Sequence, residues 1–203
     1  MKTIHEIVVE VEDSILGRLA NKMGNERINN TEILLEYVLK SGGGNHLEIG
    51  TLFGGSAIAV ALLKKEYGHS GIVLCVDPLN GYYKKQTGHG QDPSGVPVTP
   101  DTLFKNIQAF GVGDRIAVIQ DISLACDGLI DIEFSTVYID GEHKYNTPWM
   151  DWNRVKNLVT KYVIFDNWDD KHLDVRDACN MACEEYDWEF EHREGITYVV
   201  KRI

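Results

Sequence analysis

The chain has 203 residues and a formal net charge of −11 at pH 7, with 43% hydrophobic and 25% charged residues. These proportions are ordinary for a globular protein with one full-sized core, so we expect residues 1–203 to form a single domain. The acidic excess argues against a nucleic-acid partner and against an anionic membrane surface, because both bind through lysine and arginine. Charges interrupt residues 1–10, so we expect neither a signal peptide nor a membrane span there, and a cytoplasmic protein.

The first 41 residues are predicted to form auxiliary helices. Apolar residues recur at helical spacing between Ile15 and Met23, and again between Ile33 and Leu39. The run SGGG at residues 41–44 is predicted to end the second of these helices.

Five short apolar segments follow and alternate with helical segments. The strands are predicted at about 46–50, 71–76, 116–120, 135–139 and 162–165, and the helices at 54–66, 99–110, 147–159 and 170–185. Two further extended runs, at 188–192 and 196–201, predict a C-terminal hairpin. We therefore expect an α/β fold: a doubly wound, mostly parallel seven-stranded sheet with an antiparallel hairpin and an N-terminal helical extension.

Four of the five predicted parallel strands are followed at once by an aspartate, namely Asp77, Asp121, Asp140 and Asp166. Ligands of open parallel sheets bind at the carboxyl ends of the strands. Chance would scatter acidic residues over both ends of the strands, so this row of acids predicts a functional site.

The predicted loop at residues 78–100 is unusually long and contains four glycines and four prolines. Loops of this length in a compact domain are commonly functional or disordered. Since it leaves the second strand beside the predicted site, we expect a lid over the substrate, with a plain insertion as the alternative.

Residues 46–56 (HLEIGTLFGGS) run from a strand through a glycine-rich turn into an apolar helix. Such a unit is typical of nucleotide-binding α/β domains. The glycine spacing differs from the G-x-G-x-x-G pattern of dinucleotide-binding proteins, which disfavours a dehydrogenase. Glu48 would repel a pyrophosphate but suits a cationic ligand that carries an amino acid.

On these residues the chain resembles the class I S-adenosylmethionine-dependent methyltransferases, a Rossmann-like family, from about residue 45 to residue 203. The resemblance implies S-adenosylmethionine as the cofactor. Gly50 and Gly54 would let the backbone approach its methionine moiety, and Glu48 would lie under the amino-acid end. Thr51 and Ser56 would face its carboxylate, with a helix N-terminus behind them.

The same resemblance implies roles for residues that follow the second and third strands. Asp77 stands where the family has an acid that bridges the two ribose hydroxyls of the cofactor. Asp121 and Ser123 stand where the family contacts adenine.

Asp140, Asp166 and Asn167 follow the fourth and fifth strands, which are neighbours in this fold. Three oxygen ligands, two of them anionic, suit Mg²⁺, or else Ca²⁺ or Mn²⁺, and no histidine or cysteine cluster supports zinc. The Asp-Asn pair is similar to that of the catechol and caffeoyl-CoA O-methyltransferases. The run IDGEHKY at residues 139–145 looks more like the family of macrocin (macrolide-sugar) O-methyltransferases and cephalosporin hydroxylase-like proteins.

His143 lies three residues after Asp140, at the offset that holds a lysine base in the catechol branch. A histidine with a near-neutral pKa can accept a proton from a hydroxyl that a metal has acidified. Glu142 and Lys144 are rival bases, and the alternative for His143 is a hydrogen bond within its own loop.

We therefore expect a metal-dependent O-methyltransferase that acts on a small molecule with adjacent oxygens, with Asp140 and His143 as catalytic residues. Two alternatives remain open. The first is a same-fold enzyme with other chemistry, such as N-methylation or a hydroxylase-like reaction. The second is a non-catalytic cofactor-binding protein. The sequence also leaves a homo-oligomer open.

Overall fold

The computed structural model describes residues 1–17, 25–80, 95–126, 129 and 131–203. It confirms the expected α/β architecture, with one seven-stranded sheet and two helices before its first strand. The strands are β1 (His46–Ile49), β2 (Val73–Val76), β3 (Ile116–Ile119), β4 (Phe134–Ile139), β5 (Val159–Phe165), β6 (Trp188–Glu194) and β7 (Thr197–Arg202). The helices are α1 (Ile4–Ser14), α2 (Asn25–Lys40), α3 (Gly55–Tyr67), α4 (Pro100–Ala109), α5 (Thr147–Val155) and α6 (Leu173–Glu184).

The strand order across the sheet is β3-β2-β1-β4-β5-β7-β6. Strands β1 to β5 pair in parallel, and β7 pairs antiparallel with both β5 and β6. The chain direction across the sheet reverses between β1 and β4, and ligands of doubly wound sheets bind at such a switch point.

Helices cover both faces of the sheet, as predicted. Alternate residues of β2 point to opposite faces: Val73 and Cys75 join the core under α1 to α4, whereas Leu74 and Val76 join the core under α5 and α6. Both cores are built from buried aliphatic and aromatic side chains, so the parallel strands are shielded from water on both sides.

The first helix lies within the N-terminal region that was predicted to be helical. A capping box starts α1, in which the Thr3 hydroxyl accepts from the Glu6 N–H and the Glu6 carboxylate accepts from the Thr3 N–H. The backbone is extended at Ile15, directly after α1, and Leu19 and Met23, which share the helical spacing with Ile15, lie outside the described residues. The stripe that buries α1 is Ile7, Val8 and Val11.

The other predicted elements agree with the structure to within a few residues, with one larger difference. The helix predicted at 147–159 ends at Val155, because the Leu158 N–H bonds back to the Val155 carbonyl and β5 begins at Val159. The single-domain prediction stays a prediction. So does the lid, whose central residues 81–94 lie outside the described part of the chain. Within the described residues, no helix combines the length and apolar character needed to cross a membrane.

Candidate cofactor and acceptor site at the carboxyl edge of the sheet

Four of the predicted site residues form one row along the carboxyl edge of the sheet. The backbone N–H groups of Gly50, Asp77, Asp140 and Asp166 each donate to the last carbonyl of the adjacent strand, at 2.9–3.2 Å. These hydrogen bonds extend the strand ladders by one residue and hold neighbouring members of the row about one strand spacing apart. The prediction that Asp121 directly follows the third strand is wrong, because β3 ends at Ile119 and Asp121 is the second residue beyond it.

Two glycines of the loop between β1 and α3 have a backbone conformation that favours glycine, and Gly50 is also required by close packing against backbone. Gly50 has φ +87°, and a Cβ there would overlap the carbonyl oxygen of Asp140. Gly54 also has φ +87°, and a Cβ there would lie 2.6 Å from the Leu103 side chain. The glycine-rich loop is therefore packed directly against the end of β4, where the predicted metal and catalytic residues begin.

Asp77 holds the glycine-rich loop in place through its carboxylate. Oδ2 accepts the backbone N–H groups of Thr51 and Leu52, each at 2.8 Å, and Oδ1 accepts that of Leu79 at 2.7 Å. A carboxylate has about four acceptor positions, so about one remains for a ligand. The sequence did not predict this role in fixing the loop, and the ribose contact stays a prediction.

The N-terminus of α3 is open beside this loop. Its cap residue, Gly54, provides no side-chain acceptor, so the first N–H groups of α3 have no side-chain cap. Ser56 is half-buried in the first turn of α3. Such a helix N-terminus favours an anion, which agrees with the predicted position of the methionine carboxylate.

Glu48 and Thr51 lie in the protein interior. Glu48 is fully buried in β1, and Thr51 is 3% exposed. Burial raises the pKa of the Cys75 thiol well above its usual value, the Glu48 charge adds to this rise, and the Thr51 hydroxyl opposes it. Both side chains therefore lie close to β2, and their predicted contacts with the cofactor stay predictions.

The turn after β3 is fixed by side chains of α5. Ser123 donates its hydroxyl proton to Asp151 Oδ1 at 2.5 Å, and Arg154 donates to the carbonyls of Leu124 and Cys126. Asp121 is exposed, and its Oδ1 accepts the N–H of the next residue at 2.8 Å. Of the two residues predicted to contact adenine, Ser123 is therefore part of a buried network and Asp121 faces solvent.

Asp151 was missed by the sequence analysis. It is 1% exposed, and burial raises the pKa of its carboxyl to about 6, opposed by the Ser123 hydrogen bond and the Arg154 charge. A sequence signal existed, because Asp151 lies among Pro148, Trp152 and Val155 on the buried face of α5. A charged residue inside an apolar helical stripe indicates a specific buried partner.

His143 lies against Asp140. Its Nε2 is 3.3 Å from Asp140 Oδ1, and its ring packs edge-on against His172 with centroids 5.1 Å apart. Burial lowers the pKa of His143, but Asp140 and the charges of Asp166 and Glu142 outweigh burial, so the pKa of His143 is raised above its ordinary value. The structure thus brings His143, Asp140 and Asp166 together.

Asp166 receives a hydrogen bond from the N-terminal extension. Asn30 of α2 is 5% exposed, and its Nδ2 donates to Asp166 Oδ1 at 3.3 Å. Asn167 follows with φ +63°. Within the described ranges, no group of three or more His, Cys, Asp or Glu side chains is placed to hold a metal ion. The joint binding of a metal by Asp140, Asp166 and Asn167 therefore stays a prediction.

Aromatic and cationic side chains lie beside these residues. Trp168 stacks on Tyr198 at 5.8 Å between ring centroids, and the Arg193 guanidinium lies 3.7 Å from the Trp168 ring centroid. Tyr145 is 83% exposed. Since Tyr198 pairs with Phe165, Trp168 and Tyr198 lie on the side of the row formed by β5 and β7, away from the glycine-rich loop.

Comparison with solved structures shows where this architecture is found. An O-methyltransferase from Bacillus cereus in complex with SAH has a TM-score of 0.64 and 18% identity, over 100% of this chain and 91% of that chain. The O-methyltransferase TomG from Streptomyces achromogenes, in complex with SAM, has a TM-score of 0.59 and 14% identity, over 100% and 90%.

CalS11, a TDP-rhamnose 3'-O-methyltransferase of calicheamicin biosynthesis, has a TM-score of 0.66 and 14% identity, over 98% of this chain and 92% of that chain. No protein-family model and no curated protein matches the sequence. At these identities the likeness concerns the fold, and the chain has the fold of these O-methyltransferases over its whole length.

Proposed function

We propose that the chain is an S-adenosylmethionine-dependent O-methyltransferase that acts on a small molecule with two adjacent oxygens. The observation that carries the proposal is the contact between the two halves of the site. Gly50 of the proposed cofactor loop packs on the backbone carbonyl of Asp140. The Asp140 carboxylate lies beside His143. Asp140 follows β4, and Asp166 follows β5, the strand that pairs with β4. An acceptor bound at Asp140 and Asp166 would therefore lie next to the methionine end of the cofactor.

The cofactor would bind along the row of strand ends. The open N-terminus of α3 would receive its carboxylate, and Gly50 would allow its methionine moiety to approach the backbone. Asp77, already bound to the loop, would use its remaining acceptor position for a ribose hydroxyl. SAH and SAM in the structures of similar fold support this choice of cofactor.

A divalent cation at the acceptor end is part of the proposal. Asp140, Asp166 and Asn167 are oxygen donors of the kind that Mg²⁺, Ca²⁺ and Mn²⁺ take, and Asn30 orients one oxygen of Asp166. When bound there, such a cation would lower the pKa of an acceptor hydroxyl. With Asn167 included, three protein oxygens leave positions for two acceptor oxygens and water.

His143 is the proposed general base. It would take the proton of the acceptor hydroxyl, and the Asp140 carboxylate at 3.3 Å would stabilise the resulting imidazolium. Bound S-adenosylmethionine would supply the methyl group, which would pass to the acceptor oxygen as the carbon–sulfur bond breaks and SAH leaves. Since the sulfonium is already activated, the main task of the protein is to align the oxygen with the methyl group.

The test is methyl transfer from labelled S-adenosylmethionine to a panel of catechols, vicinal diols and nucleotide sugars, with EDTA or with added Mg²⁺. We expect transfer to at least one class, loss of transfer in EDTA and recovery with Mg²⁺ or Mn²⁺. Asp166→Ala should lose metal-dependent turnover and still bind SAH, whereas Asp170→Ala, at an exposed acid nearby, should behave as wild type.

The outcomes separate the alternatives. Full activity in EDTA would contradict the metal mechanism and leave the methyltransferase intact. SAH binding with no transfer to any oxygen acceptor would favour the cofactor-binding or N-methylating alternative. Absence of SAH binding would overturn the proposed function as a whole.

A further inference from the structure

Two arginines lie against one tryptophan just beyond the end of β5. The Arg193 guanidinium lies 3.7 Å from the Trp168 ring centroid, and the Arg176 guanidinium lies 5.0 Å from it. The Trp168 backbone N–H donates to the Ile196 carbonyl at 2.7 Å, which fixes the tryptophan to the turn of the C-terminal hairpin. The indole therefore brings a cation of α6 and a cation of the hairpin together beside the segment that carries Asp166.

The residue before α6 connects this arginine pair to His143. The His172 ring packs edge-on against the His143 ring with centroids 5.1 Å apart, and the His172 carbonyl accepts the Arg176 N–H at 3.2 Å. Arg176 thus lies one helical turn beyond a residue that contacts the proposed base. A molecule bound beside His143 would have the arginine pair as its neighbour on the α6 side.

The charges of the two guanidinium groups are incompletely neutralised by the protein. Arg176 pairs with Asp170 at 2.5 Å, but the Asp170 side chain is 96% exposed, so water screens this ion pair and it contributes little. Arg193 is exposed and, within the part of the chain that the structure describes, it makes no ion pair. Its five N–H donors are therefore open to a ligand.

The other charged groups nearby do not offset this positive charge. Asp169 accepts a hydrogen bond from His172 at 2.9 Å, and Glu194 lies 3.6 Å from His192. Arg176 is the fourth residue of α6, whose N-terminus has no side-chain cap. A cation so close to a helix N-terminus is unfavourable unless an anion joins it, because the helix dipole is positive there.

We propose that Arg176 and Arg193 form an anion-binding subsite on Trp168, so that the acceptor carries a carboxylate or a phosphate group in addition to its two adjacent oxygens. This inference rests on the proposed function. Guanidinium groups bind both kinds of anion through paired N–H donors, and stacking on the indole fixes the Arg193 side chain before the ligand binds. An acceptor held at its oxygens and at its anionic group would be fixed in one orientation.

The test follows the indole N–H signal of Trp168 by NMR while small probes are added at constant ionic strength. The chain has four tryptophans, and Trp168→Phe identifies the signal. The probes are benzoate, phenyl phosphate and the neutral benzyl alcohol. We expect a saturable shift with at least one of the two anions and none with the alcohol, and the anion that binds more tightly identifies the group on the acceptor.

Two variants remove the arginines one at a time. Arg193→Gln and Arg176→Gln should each weaken anion binding by at least about tenfold, because hydrogen bonds to a charged group are lost. The matched control is Arg202→Gln. Arg202 also lies against an indole, 5.9 Å from the Trp188 ring centroid, but at the edge of the sheet where β5 begins. This control should bind the anions as the wild type does.

Three results would overturn the subsite: no shift with either anion, an equal shift with the alcohol, or unchanged anion binding in both glutamine variants. In the methyl-transfer assay, Arg193→Gln should raise the KM of an anionic acceptor more than it lowers kcat. An unchanged KM would show that the acceptor does not use the subsite. SAH calorimetry on the same proteins separates the two proposals. SAH binding without anion binding would count against this inference alone, whereas absence of SAH binding would count against the proposed function.

Discussion

His143 Nε2 lies 3.3 Å from Asp140 Oδ1 at the proposed acceptor end of the site. Replacing His143 with alanine should slow methyl transfer by about 10²–10⁴-fold if it is the general base. SAH affinity should stay unchanged, because the proposed cofactor contacts come from the residues that follow β1 to β3. Single-turnover rates and SAH calorimetry measure the two effects separately.

The control for this variant is His192→Ala, at a histidine of the C-terminal hairpin that is not part of the site. Partial recovery of the His143→Ala rate as the pH rises would support the base role. If His143→Ala transfers the methyl group at the wild-type rate, His143 is not the base. It would then only form a hydrogen bond within its own loop, and Glu142 or Lys144 would remain as the candidate base.

Asp151 should make the stability of the protein depend on pH. Its pKa is raised from 3.8 to about 6 in the folded state, so the folded protein binds the proton more tightly than the unfolded chain. The stabilisation is complete below pH 3.8 and is lost as the pH rises through 6. Relative to Asp151→Asn, the wild type should lose about 2 kcal/mol of unfolding free energy between pH 4 and pH 7.

Urea unfolding of the wild type and of Asp151→Asn between pH 4 and pH 7 measures the difference in their unfolding free energies. All other titratable groups are the same in the two proteins, so their contributions cancel. A constant difference between wild type and variant would mean that Asp151 has an ordinary pKa in the folded protein. The sign of the change in unfolding free energy is also informative. If the wild type instead loses stability as the pH falls, the ionised Asp151 carboxylate is stabilised by Arg154.

Site residues were predictable where the strand pattern determines their position. Asp77, Asp140 and Asp166 follow apolar strands directly, and parallel strands end at one edge of a sheet. Asp151 and Asn30 were not predicted, because their partners are 28 and 136 residues away in the chain. The sequence does show that Asp151 lies within an apolar helical stripe. This predicts that Asp151 has a buried partner but does not predict which residue that partner is.

The loop between β1 and α3 connects the proposed cofactor and acceptor ends of the site. Gly50→Ala should weaken SAH binding by more than about tenfold, because the new methyl group would overlap the Asp140 carbonyl and push the loop away. The change also places alanine at φ +87°, which costs about 1–2 kcal/mol by itself. Calorimetry with SAH and thermal unfolding measure the two consequences.

Gly42→Ala is the matched control for backbone strain. Gly42 has φ +73°, and nothing described lies within 4 Å of a Cβ built there. This variant should lose a similar amount of stability to strain and retain SAH affinity. Wild-type SAH affinity in Gly50→Ala would contradict the close approach of the cofactor to this loop.

The helices and strands were predicted best where apolar periodicity and turn residues agree. The glycine-rich turn and the aspartates delimited β1, β2, β4 and β5 closely, whereas the bounds of α1 were not predicted. Its buried stripe is formed by β-branched residues, which are also common in strands, and its start depends on the capping box between Thr3 and Glu6. Local capping chemistry decided that boundary.

At the scale of the whole molecule, the strand order places four separate segments of the chain at one edge of the sheet. The reversal between β1 and β4 sets the glycine-rich loop beside Asp140, and the pairing of β4 with β5 sets Asp166 beside it. The alternation of elements predicted a doubly wound sheet. The contribution of α2 and α5 to the site needed tertiary structure, because helix packing decides which side chains reach the strand ends.

The central claim is that this edge of the sheet binds S-adenosylmethionine, and SAH titration calorimetry tests it most directly. SAH should bind the wild-type chain, and NAD should not. Asp77→Ala should weaken SAH binding by about 1.5–3 kcal/mol, the range for hydrogen bonds to a charged group. Asp187→Ala, at an acid in the turn before β6, should leave it unchanged. Tight NAD binding with no heat from SAH, or equal SAH affinity in Asp77→Ala and wild type, would contradict the account.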